Sequence, residues 1–315
     1  MSVLAHWSFS PLGALAIIAL IVHEIGLRRL GARQSVPRPW RRRRAWAFRG
    51  GIAVILAASN SPLAYWGMQQ LPVHMVDHIL LMCFAPGALV ASGPIVPLCW
   101  ALPVARRRRV LRWVRRSRSG ARLRAVWRVA TRPVVGFLAL NTAMLAWHVP
   151  SAFDAAMASS ALHGLAMEPS FLFAGILFWR SILPSHPYAP RARLRTQLLM
   201  VLGTNAEMLV LAMSMSIFTT HAWYTMGTTF VGTGAMAGMV MSVSPALAFS
   251  SQQLAAGVLW ICGDFWALPA VVLILQRLIK RDGSLFSSLE ASLSGFTPVK
   301  LPPAQPLTSP SRSAT

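Results

Sequence analysis

The sequence predicts an all-α integral membrane protein, a bundle of about seven transmembrane helices with its N-terminus outside and its C-terminus in the cytoplasm. Three features of the 315 residues lead to this prediction: 55% are hydrophobic, only 12% are charged, and the basic residues lie between apolar runs. A soluble domain carries about 25% charged residues. The composition therefore favours a protein that exposes much of its surface to lipid.

Seven apolar stretches are each long enough to form a membrane span of about 20 residues. They are 9–28, 50–69, 76–102, 133–149, 163–183, 196–219 and 254–277. The first has no obvious cleavage site after it and is expected to be a retained helix. The third contains Pro86 and Pro94 and is expected to be kinked. We interpret the Gly- and Thr-rich segment 220–252 as a structured outer loop, with a short re-entrant helix as an alternative.

The basic residues determine the predicted orientation. Thirty Lys and Arg oppose eight Asp and Glu, which gives a formal charge of +22. Nine lie in 28–49, twelve in 106–132, four in 180–195, and the other five follow the last apolar run. Seven spans place all of them on one side, which the positive-inside rule assigns to the cytoplasm. We therefore expect a bacterial cytoplasmic membrane protein with a membrane domain in 1–285 and a disordered cytoplasmic tail in 286–315.

The basic segment 106–128 has apolar residues, among them Trp113 and Trp127, between its arginines. This spacing is typical of an amphipathic helix that lies on anionic lipid. A nucleic-acid partner is therefore not expected.

The sequence His74-Met75-Val76-Asp77-His78 is the most specific chemical motif. Residues four apart stack on one helix face, about 6 Å apart along the axis, so both imidazoles can reach one ion. Imidazole together with thioether sulfur suits copper, particularly Cu(I). The alternative is a pair of interfacial histidines bonded to backbone or lipid headgroups. Both side chains are expected at the outer, water-accessible end of their helix, where they contribute little to packing.

Other polar residues are predicted at the same outer depth. His148 ends the fourth apolar run, His163 opens the fifth and His221 follows the sixth. Asp77 could orient the ring of His74 through a hydrogen bond. The remaining accessory candidates on this side are Met75, Asp154 and Glu168.

Glu207 and Asp264 are predicted near the middle of the sixth and seventh spans. An ionisable residue at that depth is energetically expensive, which makes a functional role the first hypothesis. The alternative is a protonated carboxyl group that is hydrogen-bonded to Asn205, Asn141 or a serine of a neighbouring helix.

A family resemblance appears in several short motifs. They are Trp7-x-Phe9-x-Pro11, Ser61-Pro62, His74-Met75-x-x-His78 with Leu80-Leu81 and Ala85-Pro86, Trp147-His148-x-Pro150 with Asp154 and His163, Phe171, Phe178-Trp179, and Gln252-Gln253-Leu254-Ala255 with Gly257 and Trp260. Through them the chain resembles the polytopic CtaG-type cytochrome c oxidase assembly factors. The resemblance implies that the protein handles copper for haem-copper oxidases, with His74, His78, His148 and His163 as candidate ligands.

Two positions depart from the family pattern. The family often has an acidic residue where Ser251 stands, and a second histidine near Met167-Glu168. These departures imply that the site differs in detail from that of other members.

We therefore expect a non-enzymatic assembly factor that binds copper at its outer face and presents it to a haem-copper oxidase subunit. A copper permease is the first alternative, since Glu207 and Asp264 would continue a polar path through the bundle. A b-type haem or quinol redox protein needs facing histidines deep in the membrane, and only His23 lies away from the helix ends. A zinc-dependent membrane hydrolase could use the same histidines.

Overall fold

The computed structural model describes residues 7–32, 38–226, 229–231 and 240–282, and most of them are helical. The first part of the chain forms α1 (Pro11–Gly31), α2 (Arg38–Asn60), α3 (Pro62–Gly67), α4 (Leu71–Ile79), α5 (Ala85–Ser92), α6 (Ile95–Ala101), α7 (Val104–Arg116) and α8 (Arg118–Ala130). The second part forms α9 (Pro133–His148), α10 (Pro150–Ala158), α11 (Ser160–Leu162), α12 (Glu168–Ile182), α13 (Leu194–Ser216) and α14 (Pro245–Asp282).

Two wider helical turns and one small ribbon complete the described structure. The π-helical segments Leu80–Phe84 and His163–Met167 join α4 to α5 and α11 to α12. The strands β1 (Thr229–Val231) and β2 (Val240–Ser242) pair antiparallel. The chain divides by its contacts into residues 1–271 and 272–315, and of the second unit only the helical residues 272–282 are described.

The prediction of an all-α membrane protein is confirmed. Among the described residues, five helical segments are long and apolar enough to cross a membrane, and a sixth results if α8 and α9 are taken as one span bent by 72°. The five are Pro11–Gly31, Leu71–Ser92, Ser160–Ile182, Leu194–Ser216 and Pro245–Lys280. Helix α2 is not among them, because the arginines of its first half lower its mean hydropathy.

Several predicted boundaries need correction. The span predicted at 50–69 is divided at Ser61, whose side chain accepts from Leu63 N at 3.1 Å and so begins a new helix. The span predicted at 76–102 breaks at Gly93, which adopts a φ of 62° that favours glycine. The predicted outer loop ends earlier than 252, because α14 already begins at Pro245. The predicted tail 286–315 lies outside the described residues.

Helix α12 packs closely against its neighbours through glycine. A Cβ atom on Gly175 would collide with the Met82 carbonyl oxygen and lie 2.6 Å from Pro86 Cγ. The absence of a side chain therefore lets α12 approach the π-helical segment Leu80–Phe84 at backbone distance. Phe171 and Phe178 of α12 are fully buried.

The basic segment predicted as one amphipathic helix is two helices. Ser117 ends α7 and begins α8, where its side chain accepts from Gly120 N at 2.9 Å. In α7 none of the side chains is buried. Both helices therefore expose arginine and tryptophan together, as an interfacial position requires.

Candidate histidine site

The motif on α4 brings its two histidines together. The ring centroids of His74 and His78 lie 4.2 Å apart, with Met75 and Asp77 on the same short helix. His74 is 1% exposed and His78 is 2% exposed. The predicted shared face is therefore observed, but the expectation of water-accessible side chains is wrong.

Two further histidines join this pair from other helices. The His163 ring lies 5.4 Å from the His74 ring, and the His148 ring lies 5.7 Å from the His78 ring. We call these four residues (His74, His78, His148 and His163) the histidine cluster. Three separate chain segments thus meet where the sequence predicted a common depth.

Backbone carbonyl groups set the proton positions of two rings. His74 Nδ1 lies 3.1 Å from the Gly67 carbonyl oxygen, and His148 Nδ1 lies 2.7 Å from the Met144 carbonyl oxygen. A carbonyl oxygen only accepts, so each Nδ1 must carry the hydrogen. Each Nε2 atom then keeps its lone pair, through which it can bind a metal ion.

The other nitrogens of His74, His78 and His148 are buried. His148 Nε2 lies 3.4 Å from Met75 Sδ. Among the described residues, His74 Nε2 and both nitrogens of His78 are buried without a hydrogen-bond partner. Buried polar groups normally have partners, so these atoms require an explanation.

Two acidic side chains lie beside the cluster. Asp77 and Glu168 are each 6% exposed, and Glu168 Oε1 lies 3.8 Å from His163 Nδ1. The carbonyl of Gly67, rather than Asp77, holds His74 Nδ1. Asp77 Oδ1 and Glu168 Oε2 find no hydrogen-bond partner in the described part of the chain.

Aromatic side chains form the walls of the cluster. Phe153 lies 5.3 Å from the His74 ring and Phe171 lies 4.7 Å from the His78 ring. Tyr224 donates to the His148 carbonyl oxygen at 3.0 Å. Burial, with Asp154 nearby, raises the pKa of Tyr224, so its hydroxyl remains a donor.

Sequence reasoning missed the two π-helical segments. The first follows α4, which carries His74 and His78, and the second begins with His163. Each is followed two residues later by a proline, Pro86 or Pro169. Proline has no N–H and removes one α-helical hydrogen bond, which favours local widening of the helix. The two prolines were therefore the sequence signal from which the π-helical segments could have been predicted.

A pocket of about 590 Å³ borders the cluster. Its lining includes His74, His163, Asp77 and Glu168 on one side and Ser8 to Pro11 of the N-terminal segment on the other. This pocket, which we call the outer pocket after the side on which its residues are predicted, borders the rings of His74 and His163.

Two accessory candidates do not reach the cluster. Asp154 Oδ1 accepts from Thr225 N and Thr225 Oγ1, both at 3.0 Å, and so anchors the loop before β1. His221 is exposed, and its backbone is hydrogen-bonded to Thr219 Oγ1.

The two carboxylates predicted at the membrane centre differ from each other. Asp264 Oδ1 accepts from Asn205 Nδ2 at 3.2 Å, which matches the alternative of a carboxyl group paired with Asn205. Glu207 Oε1 is buried and has no hydrogen-bond partner among the residues that the structure describes.

The arrangement of the cluster is compatible with a soft ion only after side-chain rotation. Across 7–32, 38–226, 229–231 and 240–282, no three His, Cys, Asp or Glu side chains are arranged to hold a metal ion. The rings of His74 and His78 are inclined at 66°, and those of His78 and His148 at 83°. The donor types nevertheless fit, because His148 Nε2 lies 3.4 Å from Met75 Sδ and His74 supplies a second Nε2 atom with a lone pair.

Comparison with known proteins gives a family match. The family described as cytochrome c oxidase caa3 assembly factor matches residues 21–281. Uncharacterized proteins of Mycobacterium bovis and Mycobacterium tuberculosis are each 24% identical to the chain over 287 residues. The matches cover 89% of this chain and 40% of each relative, so the chain spans less than half the length of these relatives. No solved structure matches the chain.

Proposed function

Because the chain belongs to the cytochrome c oxidase caa3 assembly factor family, we propose that it binds copper at the histidine cluster and passes it to a haem-copper oxidase subunit. The protein acts as a non-enzymatic carrier in a bacterial cytoplasmic membrane. Copper is its cargo, and the oxidase is its partner.

The observation that carries this proposal is the set of unpartnered buried donors. His74 Nε2 and both nitrogens of His78 lie without partners beside the contact between His148 Nε2 and Met75 Sδ. Imidazole and thioether are the donors that Cu(I) prefers over harder cations. A small rotation of the His78 ring would bring one of its nitrogens together with His148 Nε2 and Met75 Sδ as three donors. Within the described structure His78 has no hydrogen bond to lose by this rotation.

The proposed orientation has seven spans with the cluster at the outer side. Helix α12 supports it, because Glu168 begins this helix beside the cluster and Arg180 lies in its last turn. Twelve residues of helix separate them by about 18 Å along the axis. The apolar second half of α2, continued by α3, supplies the additional span beside the six helical segments.

The outer pocket supports delivery from the outer side. Its lining holds the carboxyl groups of Asp77 and Glu168 beside His74 and His163, which gives an entering ion oxygen atoms to contact. Release follows the same path in reverse, so the oxidase subunit is expected to dock at the mouth of this pocket.

A copper permease is the second candidate, and Glu207 favours it. Its buried, unpartnered Oε1 is the kind of group that lines an ion path. Glu207→Gln separates the two candidates. A permease should lose copper uptake, whereas a carrier with its site at the outer face should still load the oxidase.

The decisive test replaces His74 and His78 together by Leu and measures copper in the purified protein and in the oxidase of the same cells. Leucine keeps an apolar volume between Phe153 and Phe171 and removes every ring nitrogen. We expect copper binding to weaken by more than about 100-fold. The copper content of the oxidase should fall while the level of the variant stays near normal.

His23→Leu is the matched control. His23 is 0% exposed and both of its ring nitrogens lack partners among the described residues, yet it is not part of the cluster. This variant should keep normal copper content. Full oxidase activity in the double variant under copper limitation would contradict the proposal.

A further inference from the structure

A second cavity, remote from the histidine cluster, lies among α1, α2, α5 and α12. It has a volume of about 420 Å³ and an almost entirely apolar lining that includes Ala16, Phe48, Ile52 and Val90. A volume of this size lies within the range of small-ligand pockets, about 300–1,000 Å³. Because its walls belong to membrane helices, the surrounding hydrocarbon is the medium that supplies its occupant.

One charged residue, Arg180, lines this otherwise apolar cavity. Arg180 is 6% exposed, and its Nε and Nη1 atoms have no hydrogen-bond partner in the described part of the chain. No Asp or Glu among the described residues forms an ion pair with it. A buried guanidinium without an anion is energetically unfavourable, so its surroundings favour an anionic ligand.

The neighbours of Arg180 strengthen this preference for an anion. The ring of Tyr188 lies 4.7 Å from the guanidinium carbon and covers one face of the group. A ring on the face leaves the N–H groups at the edge free to donate. Arg191 lies within electrostatic range and adds a second positive charge.

We propose that the cavity lined by Arg180, here called the Arg180 cleft, binds an anionic phospholipid, with one acyl chain in the cleft and the phosphate on the guanidinium. Arg180 lies in the last turn of α12, on the side that carries the other basic residues. That side faces the leaflet whose anionic lipids bind basic pockets between membrane helices. The ligand holds α1, α2, α5 and α12 together at the end opposite the histidine cluster.

The experiment compares phosphatidylglycerol with phosphatidylcholine of the same acyl chains, binding to the purified full chain in detergent. Native mass spectrometry counts the bound lipid, and thermal unfolding measures the stabilisation that the lipid provides. The wild type should retain one phosphatidylglycerol and bind it about tenfold more tightly than phosphatidylcholine. Equal binding of the two lipids by the wild type would overturn the proposal.

Variants distinguish the charge from the apolar wall. Arg180→Gln should abolish the preference, while Arg180→Lys should retain most of it. Ala19→Phe, which fills the cleft from α1, should weaken the binding of both lipids and leave the ratio of their affinities unchanged. Arg112→Gln removes an equal charge from the exposed helix α7 and should change neither the affinity for lipid nor the preference for phosphatidylglycerol.

The set remains decisive even if Arg180→Gln does not fold. In that case Arg180→Lys must keep the preference and Ala19→Phe must lose binding. Undiminished binding by Ala19→Phe, or a preference that survives Arg180→Gln, would show that lipid associates with the outside of the helices only. Either result would refute the Arg180 cleft as a site.

Discussion

The acidic side chains at the two ends of the helix bundle differ in their hydrogen bonding. At the basic end, Glu24 accepts two hydrogen bonds from Arg49, both at 2.9 Å. At the histidine end, Asp77 Oδ1 and Glu168 Oε2 lie buried without partners among the described residues. An unsatisfied buried group costs about 1–3 kcal/mol. The acidic groups of the histidine end therefore sacrifice stability that the Glu24–Arg49 pair keeps, as is typical of binding sites.

A single buried histidine does not produce such a site. His23 stacks on Phe48 with ring centroids 3.8 Å apart and planes within 10°. Both of its nitrogens lack hydrogen-bond partners in the described structure, as do those of His78, although His23 Nδ1 lies 4.0 Å from Glu24 Oε1. What distinguishes the histidine cluster is the approach of four rings from different segments. Convergence, rather than burial alone, is the feature that indicates ligand binding.

The largest expected effect tests whether the histidine end depends on close helix contact. Gly175→Ala places a Cβ atom against the carbonyl of Met82 in the π-helical segment Leu80–Phe84 and against Pro86 at the start of α5. We expect the free energy of unfolding to fall by about 2–3 kcal/mol, because the backbone must shift to make room. Thermal unfolding of the purified protein, with and without copper, measures this loss.

The same substitution at Gly257 is the control for this prediction. Gly257 lies in α14 and a Cβ atom there would meet nothing within 4 Å. Alanine at this position should be neutral or stabilise by up to about 1 kcal/mol. Equal stability of the two alanine variants would show that α12 does not need close contact with the π-helical segment.

The second prediction concerns the sign of a stability change within the cluster. His78→Leu removes two buried nitrogens that have no described partner and keeps the volume filled. We expect the copper-free protein to become more stable by about 1 kcal/mol. His148→Leu should instead destabilise it by about 1 kcal/mol, because the hydrogen bond from Nδ1 to the Met144 carbonyl is lost. Thermal unfolding of both copper-free variants compares the two signs.

A loss of stability in His78→Leu as large as in His148→Leu would contradict this assignment. It would mean that His78 makes a favourable interaction in the absence of metal. The contrast between the hydrogen-bonded Glu24–Arg49 pair and the unpartnered groups of the histidine end would then be weaker than the structure indicates.

Local patterns in the sequence predicted much of the fold and part of the site. Long apolar runs predicted most of the membrane helices, because a span needs only length and hydrophobicity. The spacing of His74 and His78 predicted their shared face, because helical geometry is local. The meeting of His148 and His163 with this pair followed from a common predicted depth.

The remaining features depend on contacts between distant segments. The Gly67 carbonyl displaces Asp77 as the partner of His74 because α3 folds back onto α4, which no spacing indicates. The deep burial of His74 similarly results from Phe153, which lies far along the chain. Packing of this kind is decided by tertiary structure, so periodicity within one helix could not predict it.

The smallest expected effect concerns the ion pair between Glu24 and Arg49 at the basic end. Arg49 is 41% exposed and Glu24 is 27% exposed, so water screens their ion pair despite its two hydrogen bonds. Glu24→Gln should therefore lower the free energy of unfolding by no more than about 1 kcal/mol, and by less at high salt. Thermal unfolding at low and high ionic strength measures both values, and a double-mutant cycle with Arg49→Gln isolates the pair itself. A coupling above about 2 kcal/mol that salt leaves unchanged would mean that the pair is desolvated. Both ends would then hold desolvated acidic groups, and the difference between them would lie only in the missing hydrogen-bond partners of Asp77 Oδ1 and Glu168 Oε2.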